Sequence, residues 1–402
     1  MRVLVLNCGS SSVKLQLLDA HAGAAPYESL PVLGRGGVQH VSSPNAAWSV
    51  EVGGRRAQGE LHLRDHTAAV RALLARFREA NGAGAIEAVG HRIVHGGAQY
   101  HESAVIDGAM LASLSALEEL APLHNGPCVA GVRAARDALG TDVPMTASFD
   151  TAFHHDLPEV AAQYAIPAGL AEKYRIRRYG FHGLSYQSVL AHYCHFTHTP
   201  PERATLIVLH LGSGCSVAAI RDGRAADTSM GFTPLEGLMM STRSGDLDPA
   251  IVAFLAQHEC VEAATVEQWL NTRSGLLGVS RTGGDMRELL AVERDDEHAR
   301  LAIEMFMYRA RKYVGAYLAA LGGAPAIVFT GGIGENSAVA RARILEGMEW
   351  CGIRLDPSCN SACVGAPTRV SGDDSRVAVY AIPTDEEGVI ARDAARLLGA
   401  AP

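Results

Sequence analysis

Arginine is unfavourable among apolar or glycine-rich neighbours, and this chain places it there at two points. Arg92 lies in the run Val89-Gly90-His91-Arg92-Ile93-Val94, and Arg243 lies in Ser241-Thr242-Arg243-Ser244-Gly245-Asp246. A guanidinium framed by strand residues or glycines can fork onto carboxylate or phosphate oxygens. The competing reading is a structural ion pair, for Arg243 with Asp246 or Asp248. His124 in Pro122-Leu123-His124-Asn125 and His182 in Tyr179-Gly180-Phe181-His182-Gly183 read as loop histidines, a class that is more often structural than reactive. Asp150 closes the apolar run Met145 to Phe149, and Glu386 follows the turn Pro383-Thr384-Asp385. Both carboxylates suit a Mg²⁺ held chiefly through water and nucleotide phosphate. The plainer alternative is capping, with Asp385 as N-cap and Glu386 favouring the helix dipole.

Three small-residue turns could meet the phosphates. Asn7-Cys8-Gly9-Ser10-Ser11-Ser12 follows the apolar run Val3 to Leu6, and Lys14 adds a cation. Backbone N–H groups and hydroxyls in such a turn can point at a phosphate. The same device returns in the second half of the chain: Leu206 to Leu211, interrupted only by His210, runs into Gly212-Ser213-Gly214-Cys215-Ser216. This recurrence suggests a duplicated domain, each copy offering one such loop to a shared cleft. Gly331-Gly332-Ile333-Gly334-Glu335-Asn336 follows the strand Ala326 to Thr330 and suits close approach of a nucleotide, although a tight strand-to-helix turn explains it equally. The absence of GxxxxGK[ST] argues against a P-loop NTPase.

These residues need elements to hold them. Period and punctuation predict helices over Asp65 to Ala80, Met110 to Ala121, Val129 to Leu139, His298 to Leu321 and Gly388 to Leu398. Strands are expected at Ala88 to Val94, Met145 to Phe149, Ala326 to Thr330 and Arg376 to Ile382, besides the two hairpins. Strands alternating with helices indicate mixed α/β domains. A chain of 402 residues exceeds what one core usually supports, so two domains are expected. The net charge of −8 argues against nucleic acid or an anionic membrane as partner. No apolar stretch has the length of a membrane span and no signal peptide is recognisable, which makes the cytoplasm the expected location. The eight cysteines lack metal or redox spacing and read as reduced thiols. His192, Cys194, His195 and His198 read as a surface turn before Pro200.

In chain order, the segments Asn7 to Ser12, Gly90 to Arg92, Pro122 to Asn125, Phe149 to His154, Arg178 to Gly183, Asp227 to Gly237, Thr242 to Asp246, Gly331 to Asn336 and Pro383 to Glu387 resemble the acetate/propionate kinase family. The resemblance implies duplicated actin-like, sugar-kinase-like and Hsp70-like ATPase (ribonuclease H-like) domains, usually in a homodimer. Residues 1–150 with 386–402 would form one, and residues 151–385 the other, with the nucleotide side and the dimer interface. It implies ATP/ADP as co-substrate, Mg²⁺ or Mn²⁺ as metal, and acetate and acetyl phosphate as the other reactants. Asn7, Asp150 and Glu386 would organise the metal, and Arg92 and Arg243 would hold the acyl phosphate. His124 and His182 would contact the transferring phosphoryl group. Ser10, Ser12 and Lys14 would lie near the phosphates. His210, Gly212, Ser213, Gly214, Asp285, Arg287, Gly331, Gly332, Ile333, Gly334, Glu335 and Asn336 would form the nucleotide side. Val94, Leu123, Phe181 and Pro234 would wall an apolar acyl pocket. The chain departs from the family pattern at Gly126-Pro127-Cys128, at Leu184-Ser185-Tyr186 where Thr-Ser-His is usual, and at Ser213 and Cys215.

Overall fold

The computed structural model describes the chain except for residues 10–11, 22, 42–44, 83, 118–121 and 400–402, and the side chains of residues 122–124. The expectations for Ser10 and for the side chains of Leu123 and His124 therefore lie outside the described residues. The chain divides into two compact units, Met1–His155 with Asp385–Pro402, and Asp156–Thr384.

Among the described residues, the first unit carries strands β1 (Arg2–Cys8), β2 (Ser12–Asp19), β3 (Val32–Gln39), β4 (Ala46–Val52), β5 (Arg55–Leu61), β6 (Ala88–Ile93), β7 (Ala104–Val105) and β8 (Met145–Phe149). They form one sheet in the order β5-β4-β3-β2-β1-β6-β8-β7. β1 and β2 are an antiparallel hairpin with Asn7 opposite Lys14, whereas β1, β6 and β8 run parallel. The second unit carries β9 (Leu206–Leu211), β10 (Cys215–Arg221), β11 (Arg224–Thr228), β12 (Ala326–Thr330), β13 (Thr368–Arg369) and β14 (Ala378–Ala381), ordered β11-β10-β9-β12-β14-β13. Here β9 and β10 are the antiparallel hairpin, and β9, β12 and β14 run parallel. Three antiparallel strands followed by two parallel neighbours recur in both sheets, β3-β2-β1-β6-β8 in one and β11-β10-β9-β12-β14 in the other. Identical order and direction in two sheets of one chain is the duplication that the repeated turn suggested.

The parallel strands are buried along their length, and β12 exposes none of its five residues. The helix His66–Asn81 starts at Asp65, whose carboxylate accepts from Ala68 N at 2.8 Å, and ends at Gly82 in the left-handed region. It buries Ala69, Val70, Leu73, Leu74 and Phe77, the stripe its period predicts. Val70, Leu73, Leu74 and Phe77 each contribute about 1.5–3 kcal/mol of burial. The long helix Glu297–Leu321 is capped by Asp296 and closed by Gly322.

Several expectations need correction. The helix expected from Val129 begins at Pro122 and runs to Leu139, so the Pro122–Asn125 segment is helical rather than a loop. Proline suits the first helical position, and Pro127 forfeits one hydrogen bond without ending the helix. Asn125 fixes this start: its buried side chain accepts from His95 N and donates to His95 O, both at 3.0 Å. The histidine-rich segment is not a turn. His192, Cys194 and His195 lie in the helix Gly183–Thr197, and His198 caps it with φ 54°. The last helix starts at Glu386, with Asp385 as its N-cap.

Candidate active site

In the first unit, neighbouring parallel strands bring together residues far apart in sequence. Asn7 lies on β1, Arg92 on β6, and Asp150 directly follows β8. Glu386 opens the last helix, which packs closely on β6: a methyl group on Gly90 would lie 2.5 Å from Ile390 Cγ2. The sequence reading gives Arg92 to an anion and Asp150 to a metal, but the structure pairs them. Arg92 Nε donates to Asp150 Oδ1 at 2.9 Å and Nη2 donates to Oδ2 at 2.6 Å. Nη1 donates to Asn7 Oδ1 at 3.2 Å, and a Glu386 carboxylate oxygen lies 3.9 Å from Nε. Three of the five guanidinium protons are thereby engaged, leaving two for an incoming oxygen.

The Asp150 side chain is 1% exposed and that of Glu386 14%. Burial pushes the Glu386 carboxyl up to about 7, opposed by Arg92 and Lys14 and reinforced by Asp150 and Glu387. Burial alone would lower the Arg92 pKa, but Asp150 and Glu386 hold it above its ordinary value. An amide oxygen and two carboxylates around one positive charge form a hard oxygen donor set, and Mg²⁺ fits it. Val94 is buried just beyond β6, and Lys14 is exposed on β2. Ser12 closes the first turn by accepting from Gly9 N at 2.8 Å. Cys8 and Cys128 lie behind this cluster; burial raises both thiols, Cys128 to about 11, so they persist as thiols rather than reactive thiolates.

In the second unit, His182 has φ 58° and immediately precedes the helix Gly183–Thr197. Its ring stacks on His210 at 4.1 Å, and its Nδ1 is 2.8 Å from Ser216 Oγ. Ser216 lies opposite His210 across the β9–β10 hairpin and also bonds the Tyr186 hydroxyl. His210 Nδ1 is 2.7 Å from Ser185 Oγ. Arg243 Nη1 donates to Pro234 O at 3.3 Å. Asp246 is engaged elsewhere, accepting from Gly237 N at 2.9 Å and Tyr313 Oη at 2.7 Å, and Asp248 caps Ala250 N. The Arg243 loop is tied to the phosphate turn by Ser241 N donating to Ser213 O at 3.1 Å. A methyl group on Gly214 would lie 3.4 Å from His182 Nε2 and 3.6 Å from Arg243 Nη1, so both groups face the space above that glycine.

A supporting network here was not foreseen. Arg178 donates to Glu236 at 2.8 Å and to the carbonyls of Thr228 and Ser229, while Glu236 also accepts from Tyr164. Tyr179 N donates to Gly231 O at 3.0 Å, joining the segment that carries Phe181 and His182 to the one that carries Pro234. Phe181 and Pro234 are both buried. The basic and acidic types at Arg178 and Glu236 were the available signal, but 58 residues separate them.

Gly212, Ser213, Asp285, Arg287, Gly332, Ile333 and Asn336 line one cavity of about 460 Å³ with Gly284, Met286, Leu290 and Ser337. Asp285 caps the helix Met286–Val292 and is bidentate with Arg287, which holds its carboxyl down at about 2. Gly331 does not line this cavity. Its φ is 75°, and an added Cβ would lie 2.7 Å from Leu211 O, so it permits the β12 end to pass the β9 end. Gly334 is buried, 3.4 Å from the Phe329 backbone by the same construction. Glu335 turns back to accept from Gly331 N at 2.9 Å and Thr384 N at 3.1 Å.

Two sheets of repeated order, each with a small-residue turn on its central hairpin, define the duplicated actin-like ATPase fold of a phosphotransferase. The chain belongs to the acetokinase family, whose sequence pattern matches residues 2–392. It is 47% identical to the acetate kinase of Solibacter usitatus, over 99% of this chain and 98% of that protein. It is 44% identical to that of Chloroherpeton thalassium, over 98% and 99%. Among solved structures it resembles Porphyromonas gingivalis acetate kinase at 40% identity and TM-score 0.88, each chain 99% covered. It also resembles a propionate kinase from Francisella tularensis at 36% identity and TM-score 0.90, covering 99% of this chain and all of that one.

Proposed function

We propose that this chain reversibly transfers the γ-phosphoryl group of ATP to acetate, giving acetyl phosphate and ADP. The observation that carries the proposal is the engagement of Arg92: a guanidinium seated between Asp150 and Asn7 keeps two protons for an anionic acceptor. Acetate is ionised at neutral pH, so its oxygen attacks the γ-phosphorus without a general base. The residues then have to position the reactants and stabilise charge. Arg92 orients the carboxylate. Arg243 and His182 donate to the equatorial oxygens of the moving phosphoryl group, and His124 joins them. The second unit's cavity lined by Asp285, Arg287 and Gly332 takes the nucleoside, with Gly212 to Gly214 nearer its phosphates, and Ser12 and Lys14 are the groups the first unit offers to phosphate. Val94 in the first unit, and Phe181 and Pro234 in the second, are the buried apolar residues available to the methyl group.

Mg²⁺, or Mn²⁺ in its place, would be held by Asn7, Asp150 and Glu386 and would neutralise charge on the phosphate oxygens. Arg92 fixes Asp150 and Asn7 in place by its three hydrogen bonds. We further infer a homodimer formed through the second unit. The helix Ala250–His258 buries none of its residues within the chain, and Phe254 is 59% exposed, which supports a second copy covering it. No helix among the described residues is long and apolar enough to cross a membrane, and a cytoplasmic location agrees with the proposed reactants.

Propionate is the rival acceptor, and one methylene changes discrimination by only about 10–200-fold. The acetate kinases of Solibacter usitatus and Chloroherpeton thalassium are more similar to this chain in sequence than the Francisella tularensis propionate kinase is, which favours acetate. Steady-state rates with acetate, propionate and butyrate, with the acyl phosphate trapped by hydroxylamine, test the proposal. Acetate should give the highest kcat/KM. ATP turnover without any trapped acyl phosphate would refute it.

A further inference from the structure

We propose that Tyr186 acts through Ser216 as a positioning residue that fixes the tautomer of His182, keeping the imidazole proton on Nε2. The inference rests on the reading that His182 contacts the transferring phosphoryl group. Nε2 and Arg243 Nη1 face the same space above Gly214, so a donor is needed on that nitrogen if the imidazole is to stabilise an oxyanion while neutral. Which nitrogen carries the proton is set by the bond that the other one makes. Here the other nitrogen, Nδ1, meets Ser216 Oγ at 2.8 Å.

Ser216 is fully buried and its hydroxyl has a single proton. That proton goes either to Nδ1 or to the Tyr186 oxygen, which is hydrogen-bonded to Ser216 Oγ. Tyr186 is also fully buried, and burial raises its phenol far above its ordinary pKa, so it keeps its proton. A phenol is a stronger acid than a serine hydroxyl and so the better donor of the two. With Tyr186 donating to Ser216 Oγ, the serine proton is directed to Nδ1, and Nε2 bears the hydrogen. Stacking on His210 at 4.1 Å with 24° between planes holds the ring in this orientation, and Ser185 holds His210 in turn.

The test combines selective ¹⁵N-histidine NMR with kinetics. His182 is assigned by the signal lost in His182→Asn. In the unsubstituted protein its ring should report the Nε2–H tautomer, with Nδ1 as acceptor. In Tyr186→Phe an Nδ1–H population should appear and kcat should fall about tenfold, as loss of one hydrogen bond implies. The KM values for acetate and ATP should stay unchanged. An Nδ1–H tautomer in the unsubstituted protein overturns the proposal, and this measurement stands even if Tyr186→Phe folds poorly. A Tyr186→Phe enzyme that keeps the Nε2–H tautomer alone also overturns it, whether or not turnover falls. Should His182→Asn retain full turnover, it is the reading of His182 that fails; the tautomer spectrum separates the two failures.

Discussion

Replacing Arg92 with alanine should destabilise the first unit as well as slow the reaction. The side chain makes three hydrogen bonds, two to Asp150 and one to Asn7, and lies 3.9 Å from Glu386. Truncation leaves two acids, 1% and 14% exposed, with no guanidinium between them. Breaking a buried pair from one side costs about 3–5 kcal/mol, because the remaining charge stays desolvated. At about 2–4 °C per kcal/mol for a unit of this size, Tm should drop by roughly 6–20 °C. The same truncation should lower turnover by about a hundredfold to a thousandfold, the usual loss for one preorganised donor. Scanning calorimetry and initial rates measure the two effects separately. A thermodynamic cycle with Asp150→Ala sharpens the stability test: once Asp150 is gone, removing Arg92 should cost about 3 kcal/mol less than it does alone. If Arg92→Ala melts within about 1 °C of the unsubstituted protein, the scale of an ordinary surface change, the argument about buried compensation is wrong.

Adjacent glycines should part company. Gly331→Ala drives a Cβ to 2.7 Å from Leu211 O at φ 75° and should destabilise the second unit by about 2–3 kcal/mol, lowering its Tm, whereas Gly332→Ala has no protein atom within 4 Å and should leave Tm alone while raising the KM for ATP. Equal melting of the two variants would refute the distinction. Buried His91, whose Nε2 has no hydrogen-bond partner among the described residues, gives a pH effect on stability. Burial, aided by Arg136, lowers its pKa to about 3. The unfolded chain takes up this proton below about pH 6.5, so the contribution is full above that value and is lost as pH falls towards the folded value. Between pH 7.5 and 5.5 it amounts to about 1.4 kcal/mol. Thermal melts of the unsubstituted protein and of His91→Gln should show the variant losing less over this interval, and parallel losses would refute the assignment.

What could be read in advance followed the kind of signal each element carries. The helix His66–Asn81 is legible to within one residue at each end, and its buried face to the residue, because that stripe consists of Ala, Val, Leu and Phe at helical spacing before a Gly stop. The helix Gly183–Thr197 was not, because much of its buried face is Ser185, Tyr186, Ser188 and Tyr193, types that a hydrophobic pattern does not count. β3 was hidden by Gly34, Gly36 and Gly37, and β5 by a run of exposed residues. At the candidate site, residue types were legible but partnerships were not. Arg92 was read as an anion holder and Asp150 as a metal support, and only the alignment of β6 beside β8 places Ser148 next to Arg92 and Asp150 within its reach. Nor does the sequence show that Glu335 accepts from Gly331 N, Thr384 N and Thr330 Oγ1, or that Gly331 sits against the Leu211 backbone.

The repeated strand order explains why the two units divide the chemistry. In the first, the ends of β1, β6 and β8 carry Asn7, Arg92 and Asp150, polar or charged side chains that satisfy one another. At the corresponding ends in the second, β9 leads into Gly212-Ser213-Gly214 and β12 into Gly331-Gly332. Backbone takes the place of side chains there, which permits close approach to these strand ends. The charges of the first unit must be compensated before any ligand arrives, because an isolated buried carboxylate is costly. Arg92 meets that requirement with three of its five protons, and the same constraint leaves its last two aimed away from Asp150 and Asn7. If Arg92 holds the acceptor as proposed, stability and acceptor binding draw on different protons of one guanidinium, and lysine should not replace it: an ammonium can retain the charge but not this geometry.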